Sequence, residues 1–81
     1  MNKNVERLLE IIRTSEDPEI QEAMVSARVR DMKYGDRARS ALNYEWVARV
    51  AARVTGQRFT KGVRLKAGRI LAEQAFSSRS K

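Results

Sequence analysis

An all-α fold, a small single domain of three to four helices, is predicted by three features of the chain. Apolar residues recur at helical spacing in four successive segments. No segment of useful length alternates at period two, and the one proline stands where a helix can begin rather than inside one. The 81 residues allow one domain. A chain of this size buries only roughly 60–65% of the surface that its unfolded form exposes, so its core must be thin.

The first helix is read over residues 4–13. Val5, Leu8, Leu9 and Ile12 fall at i, i+3, i+4 and i+7 and make one apolar stripe. Asn4 is placed to cap its start, and Thr14, Ser15 and Asp17 end it. A second helix begins at Pro18, with Ser15 or Asp17 as its cap. Glu16, Asp17 and Glu19 complement the positive end of its dipole. It runs to Tyr34, with Gly35 as the expected stop. Its apolar residues form two stripes, Ile20/Ala23/Met24/Ala27 and Val25/Val29/Met32. Such a helix is buried on two sides or meets a partner on one. A homodimer through this helix is therefore expected as a partner arrangement.

Asp36 is a cap for a third helix reaching Thr55, with Gly56 as its stop and Asn43 as a point of interruption. Val47, Val50, Ala51 and Val54 make its inner face. A fourth helix starts near Thr60 and runs to Phe76, with Val63, Ala67, Ile70, Leu71 and Gln74 turned inward. Gly62 and Gly68 are each expected to weaken it by about 1 kcal/mol relative to Ala. Residues 1–76 thus form the domain, and 77–81 are expected as a mobile basic tail. Phe59 and Phe76 are the aromatic residues expected in the core.

Composition narrows the function. There is no Cys and no His. The usual zinc, haem and iron–sulfur ligands, the thiolate nucleophile and the commonest general base at neutral pH are all absent. Asp31 and Asp36 straddle a turn, but nothing around them makes a metal pair. No metal or other cofactor is expected, and a non-catalytic protein is. The longest apolar runs are two or three residues, too short for a membrane span. The opening MNKNVERLLE has acids among its apolar residues and no signal-peptide core, so a cytoplasmic location is expected.

The charge is segregated. Residues 1–45 carry eight bases and nine acids, whereas residues 46–81 carry nine bases and the single acid Glu73. The second half is therefore net +8 in a chain of net +7. A field of one sign points to a polyanionic partner more strongly than the total does. Arg outnumbers Lys twelve to five, which suits planar contacts with phosphates and bases.

The candidate nucleic-acid contacts are Trp46, Arg49, Arg53, Arg58, Lys61, Arg64, Lys66 and Arg69. Trp46, Arg49 and Arg53 stand at i, i+3 and i+7 and project to one side of the third helix, as a stacking surface flanked by two guanidinium groups. The competing reading puts Trp46 in the core. The last two helices have the cadence of a helix-turn-helix, with Gly56 at the turn and the basic residues Lys61, Arg64 and Lys66 early in the second helix. An ordinary αα-hairpin fits the same residues. The bases of the fourth helix point around more than half its circumference, which favours phosphate neutralisation over a base code. DNA is favoured slightly over RNA, because a helix fits the B-form major groove. The alternative expectation is a protein-binding regulator. It would be an inhibitor or adaptor of the kind that many viruses and plasmids encode, docking by the second helix on a larger acidic host protein.

Overall fold

The computed structural model of the protein describes residues 2–34 and 36–79. Among these there are four helices and no strand: α1 (Lys3–Thr14), α2 (Pro18–Tyr34), α3 (Arg37–Thr55) and α4 (Lys61–Arg79). The all-α expectation holds, and each helix begins within one residue of its expected start.

Local chemistry sets the ends. Asn2, not Asn4, caps α1: its side-chain oxygen accepts from the Asn4 N–H at 2.7 Å, so Asn4 lies inside the first turn. Thr14 belongs to α1, and its hydroxyl donates back to the Glu10 carbonyl at 2.8 Å. The two candidate caps of α2 act in series. The Ser15 hydroxyl accepts from the Asp17 N–H at 3.0 Å, and the Asp17 carboxylate accepts from the Glu19 N–H at 2.8 Å. Asp36 caps α3 by accepting from the Ala38 N–H at 2.9 Å. Asn43 does not interrupt α3. Its propensity cost is a fraction of a kcal/mol, and the buried Tyr44 and Val47 beside it outweigh that. Gly56 ends the helix in the left-handed region at φ 69°, with its N–H on the Arg53 carbonyl. Thr60 caps α4 by accepting from the Val63 N–H at 3.2 Å. The helix continues through Ser77 and Ser78 to Arg79, three residues past its expected end. Gly35 and residues 80–81 of the expected tail lie outside the described residues.

Helix α3 is the central element. It packs against α2, α4 and α1, while α1 lies across α3 and α4. The core joins Val5, Leu8, Leu9 and Ile12 of α1 to Ile20, Ala23 and Ala27 of α2. It also takes in Tyr44, Val47, Ala48, Val50 and Ala51 of α3 and Val63, Ala67, Leu71 and Ala72 of α4. Its largest fully buried side chain is Tyr44, which takes the place expected for Phe59 and Phe76; both of those are half-buried. Six of the sixteen core residues are alanines. Each contributes less transfer free energy than the roughly 1.5–3 kcal/mol of a buried Leu or Ile, but lets helices approach closely.

The two glycines of α4 have opposite meanings. A Cβ on Gly68 would lie 2.5 Å from the Glu45 nitrogen, 2.8 Å from its Cα and 2.9 Å from the Ala41 carbonyl oxygen. Gly68 is therefore the point of closest approach between α3 and α4, not only a weak spot in a helix. Because it meets the first half of α3, the contact folds α4 back along α3 as an αα-hairpin. A Cβ on Gly62 would meet nothing nearer than the Thr60 hydroxyl at 3.9 Å. Gly62→Ala should raise stability by about 0.5 kcal/mol, less than the roughly 1 kcal/mol of a mid-helix site, because Gly62 is in the first turn. A urea midpoint that rises with unchanged slope is the expected result. A lower midpoint would show that the helix start requires glycine.

Candidate nucleic-acid interface

The inner face of α3 is occupied by core residues, so Trp46, Arg49 and Arg53 point outward together. Trp46 is 38% exposed and is no part of the core. Arg30 of α2 reaches across, its guanidinium carbon 5.7 Å from the centre of the indole ring. That geometry is a cation–π contact. Leu42, one turn before Trp46, is also exposed on this face.

Both arginines of α3 already hold carboxylates. Arg49 Nη2 donates to Glu45 Oε1 at 2.9 Å, and Arg53 Nη2 donates to Glu19 Oε2 at 2.7 Å. The two pairs differ in kind. Glu19 and Arg53 are both exposed, and such pairs contribute about 0–1 kcal/mol. Glu45 is buried, and its Oε2 has no hydrogen-bond partner, so removing Arg49 would strand a buried charge. A guanidinium carries five N–H donors, so one carboxylate contact does not exhaust it.

The remaining candidates divide. Arg58 is exposed in the connection between α3 and α4, as are Lys61, Lys66 and Arg69 on α4. Arg64 is half-buried: its Nη1 donates to the Phe59 carbonyl at 2.6 Å, which pins the connection to α4. Its first duty is structural. Arg53, Arg58 and Arg64 nevertheless line one open hollow of about 420 Å³, together with Phe59 and Gln57. The structure thus extends the Trp46 face toward Arg58, while Lys66 and Arg69 stand on the outer side of α4.

Sequence reasoning missed Arg30, which lies in the half of the chain with no net positive charge, and Glu19, assigned there only to the helix dipole. Nothing in the spacing along either helix pairs residues across them. Asp36 is used as a cap, and among the described residues no group of three or more His, Cys, Asp or Glu side chains could hold a metal ion. A second hollow, about 410 Å³, separates α2 from α4; Met24, Arg28, Asp31 and Met32 line it from α2, and Leu71, Gln74 and Ala75 from α4.

Comparison with protein-family models, with curated proteins and with solved structures finds no match to this chain. Among the described residues, no helix is long and apolar enough to cross a membrane.

Proposed function

We propose that this protein is a non-catalytic nucleic-acid-binding module that works through the outer face of α3. The observation that carries this reading is the exposed indole of Trp46 in the company of Arg30, Arg49 and Arg53. The ring offers a stacking surface for a base, and the guanidinium groups meet the phosphates on either side. Arg53 can exchange its exposed Glu19 for a phosphate, whereas Arg49 keeps the buried Glu45 and meets a phosphate with its remaining N–H groups, so binding is strongly dependent on salt. Arg58 and Lys61 continue the track for the backbone. An exposed indole suits unpaired bases, whose faces are accessible, better than a duplex. A preference for DNA over RNA requires insertion of α4 into a groove; stacking on α3 carries no such preference.

A titration of Trp46 emission with single-stranded and duplex oligonucleotides tests this. The free protein should emit to the blue of fully exposed indole, because Trp46 is 38% exposed and Arg30 lies over its ring, and the emission should quench on single strands. The affinity should fall with salt at about −0.7 log units per phosphate contact. Trp46→Ala should weaken binding by about 1–3 kcal/mol per stacked base. The melting temperature should fall by less than a core substitution would cause, because Trp46 is partly exposed and outside the core. Emission that stays constant while binding is shown independently would remove Trp46 from the site. No binding at low salt would favour the second reading, a regulator that docks on another protein. That reading rests on Val25, Val29 and Met32 of α2, exposed at 55%, 58% and 75%.

A further inference from the structure

Val25, Val29 and Met32 stand at i, i+4 and i+7 on α2, opposite the stripe of Ile20, Ala23 and Ala27 that faces the core. Three large apolar side chains in a row on the outside of a domain this small mark a contact surface. The charges beside them are ordered. Glu19 and Glu22 lie in the first part of α2, and Arg28, Arg30 and Lys33 in the last part, so the helix carries opposite charge at its two ends. A helix with that pattern complements a reversed copy of itself and repels a parallel one.

We propose that two copies of this chain pair through α2, antiparallel, about a twofold axis that sets Val25 against the partner's Val29. In this register Glu22 comes beside the partner's Met32 and Lys33, and the symmetry repeats that pairing. A parallel arrangement would instead bring the acidic ends of the two helices to the same end of the pair, and the basic ends likewise. An acidic partner protein would be drawn to the basic half of the chain, residues 46–81, and not to a helix whose own charges cancel along its length. The apolar stripe therefore fits a second copy.

The arrangement also places the Trp46 faces. Glu22, Lys33 and Arg30 lie along one flank of the exposed stripe, and Arg30 covers Trp46. A twofold axis perpendicular to an antiparallel helix pair brings each flank against the same flank of the other copy. Both Arg30–Trp46 pairs then face the same side of the dimer, and one strand long enough to cross the axis can engage both. This last consequence rests on the function proposed above; the pairing of α2 does not.

Sedimentation equilibrium at high micromolar protein, without nucleic acid, separates the two claims. The expected mass is twice the 9.3 kDa of the chain. Val29→Glu should return it to a monomer with unchanged helical circular dichroism. Glu22→Lys should weaken the dimer at least tenfold, and the double exchange Glu22→Lys with Lys33→Glu should restore it, a rescue that unspecific apolar association would not show. A monomer throughout, or a dimer that survives Val29→Glu, overturns the pairing; a dimer indifferent to Glu22→Lys overturns its antiparallel register. Val29→Glu should also weaken binding of a long single strand while leaving a short one unaffected. If neither strand binds the intact protein, the function fails and the mass still decides the dimer.

Discussion

Gly68→Ala should cost this protein about 2 kcal/mol or more, against the helix propensity that favours alanine by about 1 kcal/mol. The added methyl would sit 2.5 Å from the Glu45 nitrogen and 2.9 Å from the Ala41 oxygen. Both are backbone atoms of α3, so no side-chain rotation relieves the contact. Helix α4 must move outward, and Val63, Ala67 and Leu71 lose packing as it does. Overpacking of a core costs typically about 1–3 kcal/mol, and rigid neighbours push it to the upper end. A domain of this size holds about 5 kcal/mol in total. The melting temperature should fall by about 10 °C or more, at the usual 4–8 °C per kcal/mol for small domains. Gly62→Ala, the same substitution in the same helix, should shift stability the other way. A Gly68→Ala protein that melts at or above the unchanged one would mean that α3 and α4 do not meet at this point.

The larger effect on binding is expected from Arg49→Glu combined with Arg53→Glu. Hydrogen bonds to charged groups contribute about 1.5–3 kcal/mol each. Two lost contacts should therefore weaken single-strand binding at least about 100-fold, at 1.4 kcal/mol per decade. Arg49→Glu also brings a second carboxylate beside the buried Glu45, so the pair of Gln substitutions is the cleaner comparison. It should lose most of the affinity and also some stability, because Glu45 keeps its buried charge without Arg49, so helical circular dichroism at the assay temperature accompanies the binding measurement. Arg30→Glu should weaken binding as much as either α3 substitution alone, because Arg30 covers the Trp46 ring. Arg28→Glu, whose side chain lines the hollow between α2 and α4, should do little. Fluorescence anisotropy with a labelled single strand reads all four. Equal losses from Arg28→Glu and Arg30→Glu would mean that total charge, and not the Trp46 face, governs binding.

The sequence was most legible where the information is local. The stripe Val5/Leu8/Leu9/Ile12 is read from spacing alone and is buried as expected. Asp17, Asp36 and Thr60 cap helices for reasons contained in three or four residues. The outward projection of Trp46, Arg49 and Arg53 follows from their spacing, given which residues of α3 face the core. What spacing does not carry is which helix lies beside which. Arg30 on Trp46, Glu19 on Arg53 and Gly68 against Glu45 join residues that are distant in the chain and meet only when the helices are assembled. The same limit explains Tyr44, whose burial depends on the helices that enclose it. It explains Arg64 too, whose commitment to the Phe59 carbonyl depends on the course of the connection.

The packing order has a consequence for how the molecule comes apart. Helices α1, α3 and α4 each touch the other two and close a triangle, whereas α2 has its substantial packing on α3 alone, with a hollow between it and α4. A closed set of three loses little when one edge loosens; a pendant helix has one seam to lose. A swing of α2 away from α3 would break Glu19–Arg53 and lift Arg30 from Trp46 while α1, α3 and α4 keep their mutual packing. The helix with the outward apolar stripe is thus held to the rest by a single seam, and that seam also carries the Glu19–Arg53 and Arg30–Trp46 contacts of the proposed binding face.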